Sequence, residues 1–247
     1  MTLPSITTEQ LRAVLSGPPE NAAPWLQLAA EQGLPEAQTR FGQLLLEGRG
    51  VDRNLQQAFR WFTRAARAEH PMAMNMLGRC YELGWGVAAD PIVAVYWYRL
   101  AALAGSDWGM YNYATALMLG KGVDSDRAAA FAWFRKAADL GHAKAINIVG
   151  GFYEDGWEVR RDLGIAFDHY RLAAEGGDFR GQFNYARLLA DRNEIATSIQ
   201  WLQQAWQTAT DAFREKMLGF LRSSSRESLR EFGARLDAQR KMPASNS

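Results

Sequence analysis

The sequence predicts an all-α solenoid of tandem helix–loop–helix repeats, and three observations carry that prediction. Trp61, Trp97 and Trp133 stand 36 residues apart, with Trp25 one step earlier and His169 one step later. Gly48, Gly50 and Val51 recur as Gly84, Gly86 and Val87, and again as Gly120, Gly122 and Val123. Ala65-Ala66 recurs at Ala29-Ala30, Ala101-Ala102, Ala137-Ala138 and Ala173-Ala174. A fixed period in this range marks a repeat array, whose units bury their apolar stripes only against one another.

The elements follow in order. Residues 1–33 are expected to form N-terminal capping helices, half a repeat, with helical stretches at 8–15 and 24–32. Residues 34–208 hold the array: four full repeats of period 36 and one shortened repeat. The second repeat shows the logic. Ala73, Leu77, Gly78 and Tyr81 lie at helical spacing. Gly84-Trp85-Gly86 then ends the first helix, because glycine takes positive φ without steric cost. Asp90 is placed to cap a second helix and Pro91 to occupy its first position. That helix carries Ala94, Trp97, Tyr98, Ala101 and Ala102 on one face, and Gly105 stops it.

Small residues share register positions. Gly42, Gly78, Ala114, Gly150 and Ala186 recur in the first helix, and Ala58, Ala94, Ala130 and Ala166 in the second. They let two antiparallel helices approach closely while large aromatic residues fill the adjoining space. The in-register tryptophans therefore read as core residues.

The repeat departs from its pattern toward the end. Glu158 replaces the second loop glycine, and His169 replaces tryptophan. In the fifth repeat DRNEI replaces the loop, so its helices should join more directly. Residues 211–222 and 225–239 fit no repeat. Phe213, Met217, Phe220 and Leu221, then Leu229, Phe232 and Leu236, each form one apolar stripe. Residues 209–240 are accordingly expected as C-terminal capping helices, with 241–247 a disordered tail.

These residues resemble the Sel1-like repeat, a relative of the tetratricopeptide repeat. The stretch AMAMNMLGRCYELGWGV, with Asp90, Ala94, Trp97 and Ala101-Ala102, matches that pattern almost throughout. The likeness runs over residues 22–208. It implies a right-handed α-solenoid (superhelix) and a non-catalytic adaptor or scaffold that binds a protein or extended peptide. Three alternatives stay open: an inhibitor or immunity-type protein, a regulatory subunit of one enzyme or transporter, and an enzyme with a groove-bound small substrate.

The bulk properties narrow the classes. The formal net charge is +1 and 22% of residues are charged, which gives no concentrated basic face for nucleic acid. Residues 211–241 carry eight Lys/Arg against five Asp/Glu, which a solvated helix face accounts for. No apolar run is long enough to insert in a membrane. MTLPSITTEQLRAVL has neither a basic start nor a long apolar stretch, so a cytoplasmic, soluble protein is expected, monomeric or weakly homo-oligomeric. Cys80, the single cysteine, falls mid-helix beside Tyr81 and reads as a packed, inert thiol.

Candidate chemistry is sparse. His70, His142 and His169 lie in different repeats, and no metal-ligand spacing links them. His142 is expected to end a helix, where an imidazolium suits the dipole. The segment GKGV at 120–123 looks like a phosphate loop, but it lacks an upstream glycine and a following hydroxyl. No cofactor, metal or catalytic residue is assigned.

The expected binding surface is the concave wall lined by first helices. Stepping by one period gives four rows: Met72, Trp108, Lys144, Arg180; then Asn75, Tyr111, Asn147, Phe183; then Asn112 and Asn184; then Arg79, Thr115, Gly151, Arg187. Trp108 and Tyr111 among Arg and Asn look like an interface hot spot. An asparagine ladder can pair with an extended peptide backbone, although plain solvation also accounts for Asn75 and Asn147. Lys144, Arg180 and Arg187 would suit an acidic side chain or C-terminal carboxylate. Trp85 and Trp157 sit at the variable loop position, where an indole either packs on the neighbouring repeat or anchors a partner.

Overall fold

The computed structural model describes residues 17–241, and the stretch 8–15 and the tail beyond 241 lie outside them. Among the described residues there are thirteen helices and no strand. They are α1 (Pro19–Glu31), α2 (Pro35–Glu47), α3 (Leu55–Arg67), α4 (Pro71–Leu83), α5 (Pro91–Leu103), α6 (Asp107–Leu119) and α7 (Arg127–Asp139). Then follow α8 (Ala143–Asp155), α9 (Leu163–Glu175), α10 (Phe179–Asp191), α11 (Ile195–Thr208), α12 (Asp211–Ser223) and α13 (Glu227–Lys241). Two compact units divide the chain, one ending at Ala137 and the other beginning at Ala138.

The 36-residue period sets every boundary of the repeat. Gly48, Gly84, Gly120 and Gly156 each follow a first helix in the left-handed region, with φ between 64° and 74°. Their N–H groups bond back to carbonyls four residues earlier, which satisfies the helix end. The second helices α3, α5, α7 and α9 start on side-chain caps, whereas α11 has none. Asp90 accepts from the N–H groups of Ile92 and Val93, and Asp162 from those of Gly164 and Ile165. Only residues 192–194 separate α10 from α11, the direct join expected from DRNEI.

Within the first unit, α1 to α6 pack in succession, each helix against the next. The second loop glycine makes this possible. A Cβ on Gly86 would lie 2.2 Å from the Leu55 carbonyl oxygen, and one on Gly122 2.2 Å from that of Pro91. Each loop thus rests on the start of the second helix one repeat earlier, at a distance only hydrogen allows.

Close approach also governs each hairpin. Cβ atoms at Gly42, Gly78 and Gly150 would meet the rings of Phe62, Tyr98 and Tyr170 at 2.6–2.9 Å. Ala58, Ala94, Ala130 and Ala166 are buried opposite. The tryptophans need a correction. Trp61, Trp97 and Trp133 are half-buried flank residues, whereas the residue after each one, Phe62, Tyr98 and Phe134, is fully buried. Trp61 lies edge-on to Phe41 with Arg64 over its face at 4.6 Å, and Trp133 lies edge-on to Tyr113 with Lys136 at 4.1 Å. The large flat indole covers the hairpin seam, and the next residue fills it, each such burial contributing about 2 kcal/mol.

In the second unit, α10 to α13 enclose a core of their own. Met217, Leu218, Leu221, Leu229, Phe232 and Leu236 from the two last helices bury against Phe183, Ala186, Leu202 and Ala205. Of the two stripes read from the sequence, Met217, Leu221, Leu229, Phe232 and Leu236 are buried there and Phe213 and Phe220 half-buried.

Candidate functional site

Each first helix of the repeat begins on a residue at the same register position. Ser106 Oγ accepts from Gly109 N at 3.1 Å, and Asp178 Oδ2 from Gly181 N at 2.9 Å. His70 and His142 use ring nitrogens: Nδ1 accepts from Ala73 N at 3.3 Å and from Ala145 N at 3.2 Å. His142 therefore starts α8, which corrects the expectation that it ends a helix as an imidazolium. A capping acceptor must carry no proton, and a helix N-terminus repels positive charge.

The first-helix rows divide by exposure. In the first row Met72 and Trp108 are 37% and 38% exposed, Lys144 is half-buried and Arg180 exposed. Trp108 lies edge-on to Tyr111 at 6.3 Å, and Tyr111 in turn lies against Phe134 at 5.8 Å.

Three of the second row, Asn75, Asn147 and Phe183, turn sideways onto a following helix, whereas Tyr111 lies against Phe134 of its own hairpin. Asn75, Asn147 and Phe183 are buried, and Tyr111 is half-buried. Asn112 Nδ2 donates to Asn75 Oδ1 at 2.8 Å, and Asn184 Nδ2 to Asn147 Oδ1 at 2.9 Å. Phe183 packs edge-on to Phe213 and Phe220 of α12, each at 5.4 Å. These side chains pair across the stack, so the expected ladder of open asparagines resolves into two closed pairs, and Phe183 is a core residue.

The fourth row is mostly engaged. The Arg79 guanidinium lies 4.8 Å over the Trp85 ring, so Trp85 packs under its own first helix. Thr115 Oγ1 donates to the Tyr111 carbonyl at 2.8 Å, and Gly151 is half-buried. Arg187 Nη2 lies 2.6 Å from both carboxylate oxygens of Glu154. Trp157, at the other loop edge, is 45% exposed and lies edge-on to Phe152. Of the three expected anion-binding cations, Arg187 is thus neutralised. Arg180 stacks over Phe179 at 4.5 Å and Phe213 at 5.7 Å. Burial pushes the Asp178 carboxyl above its ordinary range, against the Gly181 N–H and the charges of Arg180 and Lys144.

Two features escape the row-by-row reading. The first is a pair of carboxylates on the last turn of first helices. Tyr98 OH donates to Glu82 Oε2 at 2.6 Å while Lys121 Nζ holds Oε1 at 2.9 Å. Tyr170 OH donates to Glu154 Oε2 at 2.7 Å beside Arg187. Burial raises both carboxyls, but hydrogen bonds from Tyr98 and Lys121, and from Arg187 and Tyr170, outweigh it and hold both below the usual carboxylate range. The sequence signal for this arrangement is a step of two repeats: Glu82 and Glu154, Tyr98 and Tyr170, Asn75 and Asn147 are all 72 apart.

The second feature is an apolar stripe on α5, where Ile92, Tyr96 and Leu103 are all more than half exposed. The same register holds Gln56, Arg60 and Arg67 in α3, and Gly164, Asp168 and Glu175 in α9. That contrast marks the stripe in the sequence.

Reactive groups are few. Cys80 is fully buried, and burial pushes its thiol up to about 12 despite the Arg79 charge, so little thiolate forms near neutral pH. Among the described residues no group of three or more His, Cys, Asp or Glu is placed to hold a metal ion. No helix among them is long and apolar enough to cross a membrane.

Comparison with known proteins accords with this geometry. The Sel1 repeat matches at residues 19–34, 35–70, 71–106, 109–142 and 143–178. A Sel1 repeat protein from Oxalobacter formigenes superposes with a TM-score of 0.77 at 22% identity, over 94% of this chain and all of that one. A protective antigen of uropathogenic Escherichia coli with the same fold gives 0.70 at 22% identity, over 95% of this chain and 53% of that one. An immunity protein from Pseudomonas aeruginosa gives 0.56 at 19% identity, over 84% of this chain and 83% of that one. A search of curated proteins finds no match. At these identities the solved structures are likenesses of fold, whereas the repeat matches extend over more than half of the sequence: the chain is an all-α solenoid protein and belongs to the Sel1 repeat family.

Proposed function

We propose that this protein is a non-catalytic docking module that holds a protein or peptide on its first-helix wall. The observation that supports this reading most is the exposure of Met72 and Trp108 at one register position of successive first helices. Large apolar side chains left at the surface in a row, beside Tyr111 and Arg79, suit a partner's apolar anchor residues.

The test is site-specific crosslinking. A photoreactive residue replacing Met72 should capture one discrete partner, whereas the same residue replacing the exposed Ala132 of α7 should not. Equal capture from both positions would remove the first-helix wall from the reading.

A second reading takes its support from the immunity proteins that share the fold, at 18% and 19% identity. In that case the captured species is a single effector that binds in one-to-one stoichiometry and loses activity when bound. Adaptor function instead gives a partner that stays active.

A further inference from the structure

The two-repeat step preserves the tyrosine–glutamate and asparagine–asparagine bonds and changes the cations around the glutamate: Lys121 and Arg79 in the first unit correspond to Asn193 and Gly151 in the second, and Thr115 to Arg187. Glu82 with Tyr98, and the Asn75–Asn112 pair, reappear 72 residues later as Glu154 with Tyr170, and the Asn147–Asn184 pair. In the second unit the guanidinium of Arg187 completes the arrangement, resting on both oxygens of Glu154. Seventy-two residues before Arg187 stands Thr115, whose hydroxyl turns back to its own helix. A pocket of about 90 Å³ lies at that place, lined by Glu82, Tyr98, Asn112, Thr115, Leu119 and Lys121.

We propose that this pocket receives the guanidinium of an arginine side chain from the bound polypeptide. The proposal rests on the docking reading given above and names one group of the partner. Arg187 serves as the internal guide to the occupant. It establishes that a glutamate held by a tyrosine hydroxyl from the neighbouring second helix still accepts a guanidinium. Glu82 has the same tyrosine contact and lacks the arginine. Its place is taken by Lys121, which reaches Glu82 from the loop with a side chain 53% exposed. An exposed ammonium makes one weak, screened contact there, and a planar guanidinium that spans both oxygens displaces it. The aliphatic part of the incoming side chain lies along Leu119, which is itself 68% exposed.

The full-length protein would be titrated with acetyl-Gly-Arg-Gly-amide, followed by NMR at the side-chain amide of Asn112. The lysine counterpart acetyl-Gly-Lys-Gly-amide and free L-arginine serve as comparisons. The arginine peptide should bind saturably and the lysine peptide at least about fivefold more weakly. Lys121→Met should tighten the arginine peptide by about two- to fivefold. Thr115→Arg should abolish binding by supplying the guanidinium internally, and Glu82→Gln should weaken it at least about tenfold. Equal binding of the two peptides, or unchanged binding to Glu82→Gln, would overturn the proposal. Free L-arginine binding more tightly than the peptide would overturn its polypeptide part. Failure of the titration while Met72 crosslinking still captures one partner removes the arginine pocket and leaves the docking wall in place.

Discussion

Asn112 gives its side-chain amide to Asn75 across two neighbouring first helices, at 2.8 Å, and Asn75 is almost fully buried. The bond joins successive repeats side to side. It recurs between Asn184 and Asn147 at 2.9 Å, two repeats later. A polar pair of this kind favours one register of one repeat on the next, since a slipped stack would leave the buried Asn75 amide without its partner.

This pairing sets the first prediction. Asn75→Ala leaves the Asn112 amide facing a cavity and should cost roughly 1–2 kcal/mol. The double substitution Asn75→Ala/Asn112→Ala should cost less than the two single losses added together. A double-mutant cycle in urea checks this through the coupling term.

Backbone conformation gives the second. Gly86→Ala places a methyl against the Leu55 carbonyl and should destabilise by about 3 kcal/mol or more, because a whole loop must shift. Glu69 holds φ at 57° in a register where Gly33, Gly105 and Gly177 hold 92°, 88° and 81°. Glu69→Gly should therefore stabilise by about 0.5–1 kcal/mol, the relief of left-handed strain exceeding the added chain entropy. Thermal unfolding of the two variants should move in opposite directions.

The third concerns His142. Its ring nitrogen caps α8, so His142→Ala should cost about 1 kcal/mol. His142→Ser should recover most of that loss, since Ser106 already performs the same task one repeat earlier. Chemical denaturation of the two variants separates a lost cap from lost packing.

The fourth is a pH dependence. Glu82 and Glu154 are held below their ordinary value of 4.5 in the folded protein. The unfolded chain binds protons at these groups first, so their contribution to stability is complete above that value. It fades as pH falls through the folded-state values. Glu154→Gln should flatten this acid limb and cost roughly 1–3 kcal/mol at neutral pH, because Arg187 then loses its partner. Denaturation midpoints collected from pH 7 down to about pH 3 read the slope.

Periodicity made most of the fold legible in the sequence. Loop glycines, caps and small residues at fixed steps each admit one conformation, so Gly84, Asp90 and Gly78 could be placed without coordinates. The short join at DRNEI was legible as a departure from that period, and the apolar stripes of α12 and α13 from helical spacing alone. Direction was harder to read. A helical pattern separates the hairpin core from the other side, but that other side includes both the open wall and the flank that meets the next repeat. Asn75, Asn147 and Phe183 fell on the flank. His142 lies between two helices and could end one or start the next, and only the hydrogen bond to Ala145 N decides. The tryptophans recur no more strictly than Phe62, Tyr98, Phe134 and Tyr170 beside them, so spacing alone could not tell the half-buried ring from the buried one. Glu82 and Glu154 became visible only at a step of two repeats.

The central claim is that the first-helix wall around Trp108 grips a polypeptide. Its most direct measurement is the dissociation constant of the partner captured at Met72, for the wild type and for Met72→Ala/Trp108→Ala. The expected result is an affinity loss of at least about tenfold in a double variant that keeps its helical content and still unfolds cooperatively, since each side chain is more than a third exposed. An unchanged dissociation constant in a folded double variant would contradict the claim.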